Sequence, residues 1–168
     1  IAAHEVGASS LRLNVRGADR RGADLMHAGL SADIHAALDS PEVKRYSRVG
    51  LLGFSIGGHL SLKAATEELS SSVFGVAAIG SPLDLLASVN WIDRRSSKLY
   101  RHVVLGGLNE IYSSWVENGG GTAALSDVLA VTKLRAWDEL TVVKRHGFRD
   151  SAEYYETQSA GPRLSSLK

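Results

Sequence analysis

The sequence contains no cysteine among its 168 residues. This absence excludes disulfide bonds, thiolate metal sites and a cysteine nucleophile within the chain, although it does not identify the compartment. Basic and acidic residues nearly balance, 19 against 18, which gives a formal net charge of +1. That balance indicates neither a nucleic-acid-binding groove nor a polybasic membrane patch. No apolar run approaches the roughly 20 residues that a membrane-spanning helix needs, so we expect no transmembrane segment in this chain.

The chain has the size of a single domain, and its 44% hydrophobic content is enough to bury a core. It begins with Ile1 instead of Met, and no signal-peptide pattern stands at its start. We therefore expect a piece of a longer protein or a processed form. Because no targeting signal is visible, a cytoplasmic location is the default expectation.

The first half of the sequence alternates between strand and helix patterns. Strands are predicted at residues 11–15, 48–54 and 73–80, with helices at 30–38 and 56–69. The second and third strands are continuous apolar runs, typical of parallel strands that are covered on both faces. This alternation predicts an α/β fold, with a parallel sheet and crossover helices.

From residue 81 onwards the pattern is mostly helical. Ser81, Pro82 and Asp84 have the spacing of an N-cap, a first-turn proline and a carboxylate at the third helical position. Residues 125–137 would form an amphipathic helix, with one apolar face made by Leu125, Val128 and Leu129.

Further along, Asp150 and Glu153 have capping-box spacing, and the helix that they open should stop at Gly161. The glycine-rich residues 118–122 are predicted to be a flexible joint between helices. Residues 140–144 are the only weak strand candidate after about residue 80.

A G-x-S-x-G pattern spans Gly53, Ser55 and Gly57, between a predicted strand and a predicted helix. A sharp turn there would lift the Ser55 hydroxyl clear of the sheet, where a base could activate it as a nucleophile. The backbone N–H of Ile56 would then point at a developing oxyanion. We expect Gly57 and Gly58 to be steric requirements, because the helix must pack close to the strand. The pattern is short, and a plain turn with a helix-capping serine remains open.

Other residues are weaker candidates for chemistry. His59 lies one turn along the same helix and is expected to point along it, away from Ser55. Asp84 could be a triad acid, although its capping position already explains it. His27 and His35 are expected to have surface or loop roles. We can assign no partner to the remaining histidines, which are His4, His102 and His146.

No metal or phosphate site is indicated, because no zinc-binding spacing of histidines and no P-loop lysine is present. Several aromatic residues fall in the helical half, where they would either pack in its core or line an acyl pocket. These are Trp91, Trp115, Trp137, Tyr154 and Tyr155.

Several motifs together resemble the α/β-hydrolase superfamily, and more narrowly its YheT-like branch of lipases and esterases. They are LNVRG at 13–17, the residues His27, Gly29 and Asp33, the GFSIGG turn, SPLDL at 81–85, and the Gly-Phe plus Tyr-Tyr segment within 137–159. The resemblance covers residues 8–160, and its last segment is much more specific than the G-x-S-x-G pattern.

The resemblance implies a serine hydrolase of carboxylic esters, with Ser55 as nucleophile, Ile56 N–H as one oxyanion donor, and no metal or cofactor. Its substrates would be short-chain esters or acylglycerol-type lipids. Residues 1–82 would be a partial hydrolase core, and residues 83–168 a helical cap. The family's triad Asp and His lie further downstream, so the resemblance also implies an internal fragment that is inactive alone. The alternative is a hydrolase-fold domain that binds or scaffolds without catalysis.

Overall fold

A computed structural model describes residues 5–21 and 24–167 as a mixed α/β structure. Two strands are present in this part of the chain, β1 (Val49–Phe54) and β2 (Val73–Ile79). The helices are α1 (Ala32–Asp39), α2 (Pro41–Lys44), α3 (Ile56–Ala65), α4 (Leu85–Ile92), α5 (Lys98–Glu117), α6 (Leu125–Ala130), α7 (Leu134–Leu140), α8 (Val142–His146) and α9 (Ser151–Gln158), with 3-10 turns at Arg95–Ser97 and Gly161–Ser166. The predicted α/β class is therefore confirmed.

The two strands pair in parallel, and α3 connects them. The register runs from Gly50 opposite Gly75 to Phe54 opposite Ile79, with an irregularity just before Gly50. Parallel neighbours need a crossover connection, and the helix predicted after Ser55 provides it. Two strands establish the α/β class without distinguishing one α/β fold from another.

Helix α3 covers one face of this sheet, and α1 packs against α3. A small core joins them, consisting of Ile34, Leu38, Leu60 and Ala64 together with half-buried residues of both strands. The strand residues that contribute to it are Val49, Leu51 and Val73. Because side chains alternate along a strand, this face takes every second residue of β1.

The other face of the sheet is open, which contradicts the expectation that both strands are covered on both sides. Leu52 and Phe54 of β1 are 64% and 62% exposed, and Phe74 and Ile79 of β2 are also exposed. The continuous apolar runs were correctly identified as strands, but no helix packs on their second face within the described residues. An uncovered apolar face of this kind is unusual for a parallel pair.

The predicted strand at residues 11–15 is absent. The backbone there forms no regular structure, and Leu11 and Leu13 are exposed, although Val15 packs against the small core. Alternating apolar residues are compatible with a strand, but a strand also needs a hydrogen-bonded neighbour, and the described residues supply none here. The segment ends in a turn at Gly17, whose φ of +76° favours glycine.

Residues 83–167, called the helical part below, pack around a second and larger core. This core also takes in Leu25 and Ala28 from the loop before α1 and half-buried Ile56 from the start of α3. Its largest side chains are Tyr112, Trp115, Trp137, Tyr154 and Tyr155. The helical part is therefore packed directly onto the segment that follows β1.

Three predictions within the helical part are wrong in detail. Helix α4 begins at Leu85, so its N-cap is Asp84 and not Ser81, and Asp84 Oδ1 accepts the Ala87 N–H at 2.9 Å. Residues 140–144 run from the end of α7 through a turn at Thr141 into α8, and contain no strand.

The predicted helix over residues 125–137 is divided into α6 and α7. Lys133 is extended, and the carboxylate of Asp93 accepts the N–H groups of Leu134 and Arg135 at 2.8 and 3.3 Å. This cap from a distant residue starts a new helix. The expected common apolar face is also lost, because Val128 is buried whereas Leu129 is exposed.

The cap of α9 agrees with the sequence and gives a first prediction. Asp150 Oδ1 accepts the Glu153 N–H at 2.8 Å, while Glu153 Oε2 accepts the N–H of Arg149 and not that of Asp150. Replacing Asp150 by alanine should lower the free energy of unfolding by about 1 kcal/mol, because an N-terminal N–H loses its acceptor. Asp150→Asn should keep most of the stability, since asparagine also caps. Denaturant titration measures both, and an equal loss in the two variants would contradict the capping role.

Candidate functional site

Ser55 occupies the single position between β1 and α3, and its backbone is strained. Its φ of +49° and ψ of −123° lie outside the regions that non-glycine residues normally adopt. Its N–H donates to Ile79 O at 2.9 Å, while its carbonyl accepts the N–H groups of Gly58 and His59. The strain is therefore held by hydrogen bonds to β2 on one side and to the first turn of α3 on the other.

Glycine at positions 53 and 58 allows this sharp turn. A Cβ placed on Gly53 would lie 2.5 Å from Gly58 Cα, and one placed on Gly58 would lie 2.8 Å from Gly53 O. Helix α3 thus starts against the end of β1 with no room for a side chain between them. The steric requirement predicted for Gly57 is wrong, because a Cβ there would meet no heavy atom within 4 Å.

The side chain of Ser55 is exposed and does not cap α3. This excludes the capping-serine interpretation in the structure. Ile56 is the first residue of the helix, so its N–H has no partner one turn earlier and is available to an external acceptor. The geometry can therefore present a hydroxyl and a backbone N–H side by side at a helix N-terminus, where negative charge is favoured.

His59 does not face Ser55. Its ring is fully buried, with Nδ1 at 2.5 Å from Pro82 O and Nε2 at 3.0 Å from Gln158 O. Burial lowers the pKa of His59, while the two carbonyl contacts oppose that shift. The ring thus joins α3 to the end of α9 and has no free nitrogen with which to act as a base.

The other residues weighed as a base or acid are also engaged elsewhere. Asp84 is the exposed cap of α4, and His35 Nε2 lies 2.9 Å from Glu67 Oε2. His102 is exposed on α5, and His4 lies outside the described residues. Among the residues that the structure describes, none is hydrogen-bonded to the Ser55 hydroxyl.

His27 and His146 form a half-buried contact between the loop before α1 and the helical part. Their ring centroids are 4.2 Å apart. His27 Nδ1 accepts the Gly29 N–H at 3.0 Å, and His146 Nε2 lies 3.0 Å from Leu25 O. Burial, with His146 as a further cause, lowers the pKa of His27 to about 3. His27 is therefore neutral at physiological pH. It lies in a loop, as expected, but its ring packs against the helical part instead of facing solvent.

One ion pair crosses the same interface, and a second lies beside it, between the segment before the loop and α1. Arg145 Nε donates to Asp24 Oδ1 at 2.7 Å, and Arg16 Nε donates to Asp33 Oδ1 at 2.9 Å. Burial alone would raise the pKa of Asp24, but the hydrogen bonds from Arg145 and the Leu25 N–H hold it below its usual value. Arg16 of the LNVRG motif and Asp33 of the second motif thus contact each other.

The aromatic residues of the helical part divide between core and surface. Trp115, Trp137, Tyr154 and Tyr155 are buried in the core, whereas Trp91 is exposed, so packing explains four of the five. Tyr154 Oη accepts the Ala28 N–H at 2.9 Å and so ties α9 to the loop before α1.

A buried carboxyl in the helical part was not found from the sequence. Asp138 Oδ2 accepts the Tyr155 hydroxyl at 2.6 Å, and burial raises the pKa of Asp138 to about 7. The only sequence signal was its place within the specific Tyr-Tyr segment. In the described part of the chain, no group of three His, Asp or Glu side chains is arranged to hold a metal ion.

Comparison with known proteins finds a distant relative. The chain is 26% identical over 119 residues to the Escherichia coli (strain K12) protein described as "Putative esterase YheT", a match that covers 69% of this chain and 35% of the relative. The chain thus spans about a third of that relative's length. No protein-family profile matches it, and no solved structure matches it significantly.

In the described residues, no helix is both long and apolar enough to cross a bilayer.

Proposed function

We propose that this chain belongs to a serine hydrolase of carboxylic esters, with an α/β-hydrolase fold of the YheT-like branch and Ser55 as the nucleophile. The observation that carries the proposal is the strained backbone of Ser55 between β1 and α3. Strain of 1–3 kcal/mol, in order of magnitude, is seldom retained without a use, and such positions cluster at active sites. The relative's description as an esterase supports the same chemistry.

The chemistry would follow from the placement of two groups. Ser55 Oγ would attack the ester carbonyl, and the alcohol would leave with the proton that the serine gave to a base. The resulting acyl-enzyme would then be hydrolysed by water. The Ile56 N–H would donate to the oxyanion of each tetrahedral intermediate. One such donor lowers the activation free energy by about 3 kcal/mol.

The base and its orienting acid are proposed to lie outside the described residues. This is supported by the contacts of His59, whose two ring nitrogens face Pro82 O and Gln158 O. It is also supported by the relative, whose length is about three times the part that matches. The proposal therefore concerns the full reading frame that contains this chain, and we expect residues 1–168 alone to show no Ser55-dependent esterase activity.

We further propose that residues 83–168 form a cap over residues 1–82. The second core supports this division, because it is built from the helical part and contacts the start of α3 through Ile56. An apolar cap beside the serine would favour the acyl chain of an ester, so short-chain esters or acylglycerol-type lipids are the proposed substrates.

The test is labelling of the full reading frame with a fluorophosphonate probe. The wild-type protein should be labelled, and Ser55→Ala should abolish labelling, because the probe reacts with an activated serine hydroxyl. Ser72→Ala is the matched control, since Ser72 is a half-buried serine of the same part whose hydroxyl is hydrogen-bonded to that of Ser70 at 2.9 Å. It should be labelled like the wild type.

Labelling of Ser55→Ala at the wild-type level would remove Ser55 as the nucleophile. A folded wild-type protein that is not labelled at all would instead favour the alternative, a hydrolase-fold domain that binds without catalysis. The observation that favours this second candidate is that no described residue is hydrogen-bonded to the Ser55 hydroxyl. Circular dichroism of each variant separates loss of reactivity from loss of folding.

A further inference from the structure

An exposed apolar surface lies on the helical part, around the start of α5. Leu99 and Val103 are 84% and 72% exposed, and Trp91 and Tyr100 beside them are about half exposed, at 50% and 49%. The rings of Trp91 and Tyr100 meet edge to face with centroids 5.7 Å apart. These four residues, called the α5 surface below, expose apolar area that the fold itself does not use.

The position of these residues on α5 explains their exposure. Leu99 and Val103 are four residues apart and share one face of the helix. Leu105 and Tyr112 are buried and lie on the opposite face, which packs into the core of the helical part. The long helix is therefore apolar on two faces at its start, whereas packing within the described residues needs only one.

Cations border this surface. Residues 91–103 contain Arg94, Arg95, Lys98 and Arg101 against a single acid, Asp93. The Asp93 carboxylate is turned towards α7, where it accepts the Leu134 N–H at 2.8 Å. Arg101 is also engaged internally, through the carbonyls of Ile92 and Arg94. Residues 91–103 are therefore a local basic segment, although the net charge of the whole chain is only +1.

The three remaining cations are exposed and stand next to the apolar residues. Arg94 and Arg95 lie in the connection between α4 and α5, and Lys98 is the first residue of α5. Exposed Trp, Tyr and Leu side chains next to Lys and Arg are typical of a surface that enters the headgroup region of a bilayer. Anionic headgroups attract each basic residue, and the apolar side chains enter the acyl boundary.

We propose that the α5 surface docks onto an anionic lipid surface. Leu99 and Val103 would enter the interface, Trp91 and Tyr100 would lie at the headgroup level, and Arg94, Arg95 and Lys98 would contact the anionic headgroups. The charge complementarity distinguishes this partner from a second copy of the chain, whose α5 surface would bring the same cations together. The proposal is independent of the chemistry assigned to Ser55.

The test is co-sedimentation of the full-length protein with vesicles of phosphatidylcholine, with and without phosphatidylserine. The wild type should bind vesicles that contain phosphatidylserine more tightly than vesicles of phosphatidylcholine alone, and the difference should shrink as salt is raised. Arg94→Glu combined with Arg95→Glu should weaken this binding by about thirtyfold or more, the equivalent of about 1 kcal/mol for each basic residue. Leu99→Ser combined with Val103→Ser should weaken binding to both kinds of vesicle by roughly tenfold or more.

The matched control is Lys44→Glu combined with Arg45→Glu, which reverses the same amount of charge at the end of α2, outside the α5 surface. It should bind within about twofold of the wild type, because it changes the net charge by the same amount but leaves every residue of the proposed contact in place. All variants should melt like the wild type, because the changed side chains are exposed.

Three results would overturn the proposal. The first is a folded wild type that binds neither kind of vesicle. The second is undiminished binding in both α5 variants, which would place the membrane contact elsewhere. The third is a dimer that forms without vesicles and is lost in the Leu99→Ser, Val103→Ser variant, because the surface would then be an interface between copies.

Discussion

Replacing Gly58 by alanine is expected to lower the free energy of unfolding by about 3 kcal/mol, whereas the same change at Gly57 is expected to be neutral or slightly stabilising. The two glycines are adjacent in the first turn of α3, yet their surroundings differ. A Cβ on Gly58 would lie 2.8 Å from Gly53 O and 3.1 Å from the Cβ of Ala78. A Cβ on Gly57 would contact nothing.

The physical reason is the close approach of α3 to both strands. Gly53 O belongs to the backbone of β1, and Ala78 belongs to β2, so neither can move aside without disturbing the sheet. The helix would have to move away from the strands, and the hydrogen bonds that hold the strained turn at Ser55 would lengthen. At Gly57 the substitution should instead raise the free energy of unfolding by about 0.5 kcal/mol, because alanine loses less backbone entropy on folding than glycine does.

Thermal and denaturant unfolding of the two alanine variants measures this difference. The substitution is the same in both, so its effect on the unfolded chain is nearly the same and cancels in the comparison. Equal stability of the two variants would show that α3 does not start against β1 as closely as the structure has it. Loss of stability at Gly57 alone would restore the original steric prediction.

The elements that could be predicted from the sequence are those whose cause is local. β1, α3 and β2 follow from apolar runs and helical periodicity within a few residues, and their bounds agree with the predicted ones to within a few residues. The strained turn at Ser55 was expected from the spacing of Gly53 and Ser55. The steric basis of this turn was not predicted in detail, because nothing in the local sequence shows that Gly58 faces the strands and Gly57 does not.

The features that the sequence did not predict depend on distant partners. His59 contacts carbonyls 23 and 99 residues away, and the start of α7 is capped by Asp93, 41 residues before Leu134. A strand at residues 11–15 would need a neighbour that no local pattern specifies. The open face of β1 and β2 was not predicted for the same reason, because an apolar run does not identify the element that packs on it.

The replacement of Asp138 by asparagine is expected to change how stability depends on pH. Asp138 is buried beneath the Tyr155 hydroxyl, and burial raises its pKa from the usual 3.8 to about 7. The coulombic effect of Asp93 and Glu139 acts in the same direction, while the hydrogen bond from Tyr155 opposes it. The folded protein therefore holds a proton on Asp138 over a range of pH in which the unfolded chain has already lost it.

The sign of the effect follows from this difference. Below about pH 4 both states are protonated, and the contribution of Asp138 to stability is fully present. Between about pH 4 and pH 7 the unfolded state ionises first, so the free energy of unfolding falls as pH rises. One pKa unit corresponds to about 1.4 kcal/mol, so the total loss by pH 7 is about 4 kcal/mol.

Asp138→Asn should remove this loss, because an amide does not ionise and its oxygen can still accept the Tyr155 hydroxyl. The variant should therefore be more stable than the wild type above pH 7 by about 4 kcal/mol at most, with a much smaller difference near pH 4. Other groups, such as His27, also titrate on unfolding, and the difference between the two curves cancels them. The measurement is denaturant unfolding of both proteins at a series of pH values from 4 to 8.

Two further variants make the result specific to the buried pair. Asp127→Asn removes the same charge from an exposed position on α6 and should leave the pH dependence of the wild type unchanged. Tyr155→Phe removes the donor that favours ionised Asp138, so the pKa of Asp138 should rise further and the loss should extend to higher pH. If the wild-type and Asp138→Asn curves run parallel from pH 4 to pH 8, Asp138 has the same pKa in the folded and unfolded states, and its carboxyl is not buried beside the Tyr155 hydroxyl.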